Sequence, residues 1–182
     1  QRQMCIRDRC DNGKTHWYAV DLPHVIQYRR GLLPEPEREF YISGDAFVKD
    51  WIIKVRNDVP DAPVLVTAGG LLHYFEENKV ISLLRMIGQS GNMEVVFDTV
   101  NKKGMAMMQK KYMKQVGHAD AQMFFYVDAA KELAAKIRGN VKVIAEEPYY
   151  RYIPKNGLKL STKVSMAVSD QFKMVKMIHL KL

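Results

Sequence analysis

Cysteine is scarce in this chain of 182 residues. There are two cysteines, Cys5 and Cys10, and both lie within the first ten residues. Because nothing else in the chain completes a zinc site with them, we expect neither a structural disulfide nor a bound metal.

Long hydrophobic runs are also missing. None approaches the roughly 20 residues that cross a bilayer, and the N-terminus lacks the apolar centre of a signal peptide. We therefore expect a soluble cytoplasmic protein with no membrane partner. Hydrophobic residues nevertheless make up 47% of the chain, so it can bury a substantial core, and its length predicts one domain.

Basic and acidic residues are unevenly distributed. Residues 1–100 carry 12 Lys and Arg against 14 Asp and Glu, whereas residues 101–182 carry 16 against 6. A basic half can indicate a nucleic-acid or acidic-lipid surface. Here the lysines are scattered among methionines without an aromatic platform or a known nucleic-acid module, which favours a solvated basic face and no nucleic-acid partner.

The first nine residues differ from the rest of the chain. Residues 1–9 show neither helical nor strand periodicity, and they resemble translated cloning or sequencing-adapter sequence. We interpret them as foreign and take the domain to run over residues 10–182.

A carboxylate follows the first β-like segment. Residues 16–21 read as a β-branched and aromatic strand that ends on Asp21, and Pro23 then starts a segment with helical spacing. Beyond the end of a parallel strand, Asp21 could accept both hydroxyls of a ribose. It could equally cap the following helix, since Asp is a favoured N-cap residue and Pro is common in a first turn.

The same arrangement recurs in the next strand. Residues 40–43 form a short predicted strand that ends before Gly44 and Asp45, and a predicted helix follows around residues 51–55. Two acids at the tips of successive strands suit a nucleoside, which presents a diol to one and a base amino group to the other. Asp45 could instead cap the helix that follows it.

A third strand ends on two glycines. Residues 64–68 form an apolar run of the kind that is buried in a parallel sheet, and Gly69 and Gly70 follow at its tip. Glycines there permit close approach of a ligand, or they ease a tight turn. We expect His73 and Tyr74 to lie near the cleft, although a lone His in such a stretch is more often packed than catalytic.

The remaining segments predict an α/β fold. We expect strands at residues 93–99, 141–145 and 173–182 and helices at 79–87, 102–116 and 128–137, with residues 165–170 helical or irregular. The methionines of residues 102–116 could fill the core or form a substrate lid. This order predicts a three-layer α/β sandwich, with a mostly parallel sheet and a C-terminal antiparallel hairpin.

Several segments of the chain match the motifs of one family. They are Asp-Asn-Gly-Lys-Thr-His-Trp-Tyr at 11–18, Asp21-Leu22-Pro23, Val25-Ile26, Arg29-Arg30, Val-Thr-Ala-Gly-Gly-Leu-Leu-His-Tyr-Phe at 66–75 and Glu-Val-Val-Phe-Asp at 94–98. Together they resemble the leucine carboxyl methyltransferase and polyketide O-methyltransferase family, which belongs to the class I S-adenosylmethionine enzymes. The resemblance covers essentially everything from about Cys10 onward.

The resemblance implies a seven-stranded Rossmann-like sheet and methyl transfer from S-adenosylmethionine to a carboxylate or hydroxyl oxygen of a small molecule or protein terminus. It places Asp21 on the ribose hydroxyls and the adenine contact near Asp45 and Ala46. Ala68 and Gly69 would lie at the amino-acid end of the cofactor. His73 and Tyr74, with the Met-rich segment and residues 124–126, would bind the methyl acceptor.

Two departures from the family pattern affect this expectation. The family's central first strand and its Gly-rich loop should precede residue 10, and without that strand two parts of the sheet lose their shared neighbour. Relatives also usually carry Glu where this chain has Gly69. We therefore expect this chain alone to be inactive. A degenerate binding protein and another nucleotide-using Rossmann-like protein, such as a dehydrogenase, remain alternatives.

Overall fold

The computed structural model describes residues 9–33, 37–109 and 122–182. The chain divides into two compact units, Gln1–Ala62 and Pro63–Leu182. Strands and helices alternate through both of them. The prediction of a single domain beginning near Cys10 stays a prediction, and residues 1–8 of the segment interpreted as foreign lie outside the described ranges.

From Trp17 onward, the described part of the first unit forms a two-stranded parallel sheet with a helix after each strand. Its elements are β1 (Trp17–Asp21), α1 (Pro23–Leu32), β2 (Glu39–Ser43) and α2 (Asp50–Asp58). β1 pairs with β2 in parallel, and Asp21 lies opposite Ser43. Pro23 stands in the first turn of α1, where a missing N–H costs nothing because no helical carbonyl would accept it.

A small buried cluster holds the first unit together. Ile26 of α1 packs with Ala19 of β1 and Tyr41 of β2. The guanidinium of Arg29 lies 4.6 Å from the ring centre of Tyr41 and forms an ion pair with Glu39, Nη2 to Oε1 2.5 Å. This pair fixes the last turn of α1 against β2.

The second unit contains a four-stranded sheet. Its elements in chain order are β3 (Val64–Ala68), a 3₁₀ turn (Leu72–Tyr74), α3 (Glu77–Gly88), β4 (Met93–Val100), α4 (Lys102–Met107), α5 (Ala130–Ile137), β5 (Lys142–Pro148), α6 (Leu160–Gln171) and β6 (Val175–Lys181). The strand order is β3-β4-β6-β5.

This sheet is mixed, where the sequence predicted a mostly parallel one. β3 and β4 are parallel, but β6 lies between β4 and β5 and runs antiparallel to both. The final strand therefore contributes two antiparallel pairs. The last two strands pair antiparallel as predicted, but α6 lies between them in the chain, so the predicted hairpin was wrong. β5 runs in the same direction as β3 and β4, so the carboxyl ends of these three strands share one edge of the sheet.

The core of the second unit follows the apolar periodicity of α3 and the sheet. Five residues of α3 are buried: Val80, Ile81, Leu83, Leu84 and Ile87. Phe97, Ile178 and Leu180 of the sheet are fully buried as well. Burying each such side chain contributes roughly 2 kcal/mol, before the cost of ordering it.

The Met-rich segment is described only in part. α4 covers Lys102–Met107, and Met105 is buried in a cluster with Val100 and Met123. Met105 thus fills the core, whereas Met107 is exposed. Residues 110–121, which include Met113 and the second half of the predicted lid, lie outside the described ranges. Within those ranges, none of the helices combines the length and apolar character needed to cross a membrane.

Candidate functional site

A short hydrogen bond joins the turn after β3 to a residue within the last three positions of β4. Ala68 lies opposite Phe97 in the parallel pair, so Gly70 and Asp98 come just after matching positions. The N–H of Gly70 donates to Oδ1 of Asp98 at 2.6 Å. Gly70 has φ +68°, a left-handed conformation that favours glycine, and its N–H reaches Asp98 in that conformation. Sequence reasoning noted Asp98 only as the acid that ends a strand.

Gly69 occupies an open position between Ala68 and this turn. It is exposed, its φ is not in the left-handed region, and no atom lies within 4 Å of where a Cβ would stand. Neither steric crowding nor backbone conformation therefore requires glycine here. A longer side chain would extend into free space at the carboxyl edge of the sheet.

His73 lies beneath this edge. The residue is 6% exposed, its carbonyl accepts the N–H groups of Phe124 and Phe125, and its Nδ1 has no hydrogen-bond partner among the described residues. Burial lowers the pKa of His73, and the negative charge of Asp98 opposes that shift only in part. The imidazole is therefore neutral at pH 7, with an unused nitrogen.

Aromatic side chains stand next to His73. Tyr74 is 43% exposed, and its ring meets the imidazole edge to face at 5.5 Å between centres. Phe124 is also partly exposed. Phe125 is instead buried and packs against Phe97, so it belongs to the core rather than to a substrate surface.

A buried lysine holds the neighbouring segment over the strand ends. Lys176 is 1% exposed, and its Nζ donates to Oε1 of Glu146 and to the carbonyl of Asp128, both at 2.7 Å. The other oxygen of Glu146 accepts the N–H of Ala130 at the start of α5. These bonds fix the segment that leads from the aromatic residues into α5.

Asp21 lies at the carboxyl end of β1 in the first unit. The side chain is exposed, and Oδ1 accepts the N–H of Leu22 at 2.8 Å. Leu22 is the N-cap residue of α1, and no side chain caps that helix. The capping alternative for Asp21 therefore has no support, and no described residue donates to its Oδ2.

Asp45 follows β2 at the same edge of the two-stranded sheet. Its Oδ1 accepts the N–H of Phe47 at 2.9 Å, which closes a local turn. α2 begins at Asp50 without a side-chain cap, so Asp45 does not cap it. Ala46 accepts the indole N–H of Trp51, and the N–H of Gly44 donates to the carbonyl of Asp21.

The predicted site residues thus fall into two groups. The first unit brings together Asp21, Asp45 and Ala46, and the second brings together Ala68, Gly69, His73 and Tyr74. Each group lies at the carboxyl edge of its own sheet, which is where ligands bind in open α/β sheets. Among the described residues, no three or more His, Cys, Asp or Glu side chains converge as a metal site would require.

Comparison with known proteins gives one sequence relative. The S-adenosyl-L-methionine-dependent methyltransferase dpfgK of Gibberella zeae is 32% identical to the chain in an alignment of 136 positions that covers 68% of this chain and 44% of dpfgK. The chain therefore spans less than half the length of this curated relative. No protein-family model matches it.

Solved structures with low sequence identity share the fold. The structure of LepI in complex with SAM matches 100% of the chain and 40% of LepI, with a TM-score of 0.61 and 16% identity. The mitomycin 7-O-methyltransferase MmcR matches 93% of the chain and 42% of MmcR, with a TM-score of 0.56 and 14% identity. The chain therefore has an α/β fold found in S-adenosylmethionine-dependent methyltransferases.

Proposed function

We propose that this chain belongs to an S-adenosylmethionine-dependent O-methyltransferase that acts on a carboxylate or hydroxyl group of a small molecule. The observation that carries the proposal is the exposed carboxylate of Asp21, which follows a parallel strand and caps no helix. The identity with dpfgK and the S-adenosylmethionine in the LepI structure support the choice of cofactor.

The first group of residues fits the nucleoside part of this cofactor. Oδ2 of Asp21 is open to accept hydrogen bonds from the ribose hydroxyls, and Asp45 lies at the tip of the neighbouring strand. A charged acceptor makes such bonds about twice as strong as neutral ones. The resemblance places residue 69 at the amino-acid end of the cofactor, where glycine supplies no charge. Cofactor binding would then depend more heavily on contacts with the nucleoside.

The second group fits the methyl acceptor. When bound, S-adenosylmethionine supplies a sulfonium with an activated methyl group. The contribution of this chain is to hold the acceptor oxygen in line and to exclude water. Tyr74 and Phe124 offer an exposed aromatic surface for the acceptor. The neutral imidazole of His73 lies buried beside them, and it would accept a proton from a hydroxyl acceptor only after acceptor binding opens access to its unpartnered nitrogen. A carboxylate acceptor needs no base.

A second candidate function is ligand binding without catalysis. The observation that favours it is Gly69, where the resemblance leads us to expect Glu, at a position with room for that side chain. A protein that lost this carboxylate could retain the fold and a weak nucleoside site. Binding without methyl transfer separates this alternative from the enzyme.

The test uses a chimera in which this chain replaces the matching region of dpfgK. The chimera is supplied with methyl-labelled S-adenosylmethionine and a panel of small carboxylic acids and phenols. We expect label in the organic extract, and mild base distinguishes a labile methyl ester from a stable ether. His73→Asn should lower hydroxyl methylation and leave carboxylate methylation unchanged. A folded chimera that binds S-adenosylhomocysteine and labels no acceptor would favour the binding protein.

A further inference from the structure

Helix α6 and its C-cap residue, Phe172, carry a row of exposed apolar side chains. Leu160, Val164, Val168 and Phe172 are 77%, 53%, 43% and 58% exposed. They are spaced four residues apart, and with about 3.6 residues per turn this spacing keeps them on one side of the helix. Four aligned residues form a continuous surface, unlike the isolated exposed apolar residues that occur on most proteins.

This row faces away from the sheet. Met166 lies roughly opposite Val164 around the helix, and it is buried where α6 packs on β5 and β6. One side of α6 thus belongs to the core of the second unit. None of the described residues buries the other side.

Lysines flank the apolar row. Lys159 is the N-cap residue of α6, Lys163 lies in its first turn, and Lys155 and Lys173 stand before and after the helix. The acid between residues 155 and 173 is Asp170, whose Oδ1 accepts the N–H of Tyr150. Lys155, Lys159 and Lys163 form no ion pair with any residue that the structure describes.

The positions of these lysines do not stabilise α6. A helix N-terminus carries partial positive charge and is stabilised by acids, yet α6 has no acid in its first turn and has lysines at its N-cap and at the fourth helical position. Its last turn has no base. The lysines therefore cost the isolated helix some stability, and an external anion would offset that cost.

We propose that this α6 surface, formed by the apolar row and its flanking lysines, binds an anionic lipid surface. The combination of an exposed apolar row and about four basic side chains is typical of a helix that lies in the plane of a membrane interface. Tyr152, in the segment that leads into α6, is largely exposed and suits the headgroup level. Contact between two copies would place like charges against each other and is disfavoured.

The test is co-sedimentation of the 182-residue chain with vesicles. We expect binding to vesicles of phosphatidylcholine and phosphatidylserine at a ratio of about 2:1, little binding to phosphatidylcholine alone, and release as salt rises, because screening shortens the range of the attraction. Sedimentation velocity without lipid should show a monomer.

Two double variants separate the contributions. Lys159→Gln with Lys163→Gln should weaken binding by about 30-fold, since each basic residue near an anionic surface contributes roughly fivefold. Leu160→Gln with Val164→Gln should weaken it by at least about tenfold. Both pairs are solvent-exposed or half-exposed, and circular dichroism checks that the fold is retained.

Matched controls lie on other helices. Lys131→Gln removes an exposed lysine of α5, and Ile53→Gln removes an exposed apolar residue of α2. Neither should change vesicle binding. The proposal is overturned if the chain binds both kinds of vesicle equally, if it binds neither, or if the α6 variants bind as the wild type does. Binding to polyglutamate but not to vesicles, or a dimer that Leu160→Gln dissociates, also overturns it.

Discussion

Oδ1 of Asp98 accepts the N–H of Gly70 at 2.6 Å, and this bond ties the turn after β3 to the neighbouring parallel strand β4. Burial lowers the pKa of His73, and the negative charge of the same carboxylate offsets part of that lowering. Asp98 therefore both shapes the turn after β3 and sets the proton affinity of the imidazole below it. Its role in the site is that of a positioning residue.

Replacing this carboxylate by an amide should lower the pKa of His73 further. Asp98→Asn keeps an oxygen for the N–H of Gly70 but removes the charge that favours the protonated imidazole. An NMR titration of the His73 ring measures the change. Glu76→Gln, at an exposed position, is the control and should leave the titration unaltered. An unchanged or raised pKa in Asp98→Asn would contradict the assignment.

His73 should also make the protein sensitive to mild acid. The ordinary pKa is 6.5, and burial lowers it in the folded state, so below pH 6.5 the unfolded chain binds a proton that the folded chain does not. Stability is thus fully present above pH 6.5 and falls as the pH drops toward the folded-state pKa. Urea unfolding at pH 7 and pH 5 should show a smaller loss for His73→Phe than for the wild type. Equal losses would rule out a buried neutral imidazole.

The ion pair between buried Lys176 and partly exposed Glu146 should be important for stability. Lys176→Met leaves Glu146 in its site with the N–H of Ala130 as a remaining partner, and we expect a loss of about 2 kcal/mol in the free energy of unfolding. The double variant Lys176→Met with Glu146→Gln should recover part of that loss. A double variant no more stable than the single one would show that the two charges are not coupled.

This pair also has a defined pH dependence. Burial alone would raise the pKa of Glu146, but the bonds from Lys176 and Ala130 together lower it below its ordinary value of 4.5. The stabilisation is therefore present above pH 4.5 and is lost as the pH falls through the lower folded-state pKa. The difference in stability between the wild type and Lys176→Met should narrow below pH 4.5.

Gly69→Glu should strengthen cofactor binding. The position is open and exposed, and the resemblance places a Glu there that reaches the amino-acid end of the cofactor. A charged hydrogen bond of this kind corresponds to about tenfold in the dissociation constant of S-adenosylhomocysteine. Gly69→Gln has nearly the same shape without the charge and should gain less. Equal affinities in the wild type and both variants would place residue 69 away from the ligand.

The strands were largely predictable from the sequence, and their arrangement was not. The apolar runs at residues 64–68 and 93–99 correspond closely to β3 and β4. The predicted burial holds for β4 but was wrong for β3, because β3 lies at the edge of the four-stranded sheet and its Leu65 is 57% exposed. The position of β6 between β4 and β5 depends on pairing between residues far apart in the chain, which local periodicity does not encode. The sequence therefore predicted more parallel strand pairs than the four-stranded sheet contains.

Helix α6 shows a different limit. The pattern favoured helix or irregular structure at residues 165–170, whereas α6 spans Leu160–Gln171. Most apolar residues of α6 are exposed to solvent. An apolar face normally indicates the side of a helix that packs on the core, but α6 packs on the sheet through its other side. The lysines were likewise interpreted as a solvated face, because their alignment beside an apolar row appears only in the fold.

The candidate-site residues that follow strands were predictable from the sequence, whereas the contacts made by Asp98 and His73 were not. Asp21 and Asp45 follow predicted strands, and the structure places both at one edge of the two-stranded sheet. The bond between Gly70 and Asp98 joins residues 28 positions apart, so no local pattern indicates it. The burial of His73 depends in the same way on packing by residues distant in the chain.

Calorimetric titration with S-adenosylhomocysteine tests the central claim, that Asp21 holds the ribose of the cofactor. The chimera with dpfgK should bind, Asp21→Ala should weaken binding by about 30-fold through loss of charged hydrogen bonds, and Asp61→Ala, at an exposed acid of the same unit, should have no effect. Equal affinity of Asp21→Ala and the unsubstituted chimera would contradict the claim, and so would a folded chimera that gives no heat at millimolar ligand.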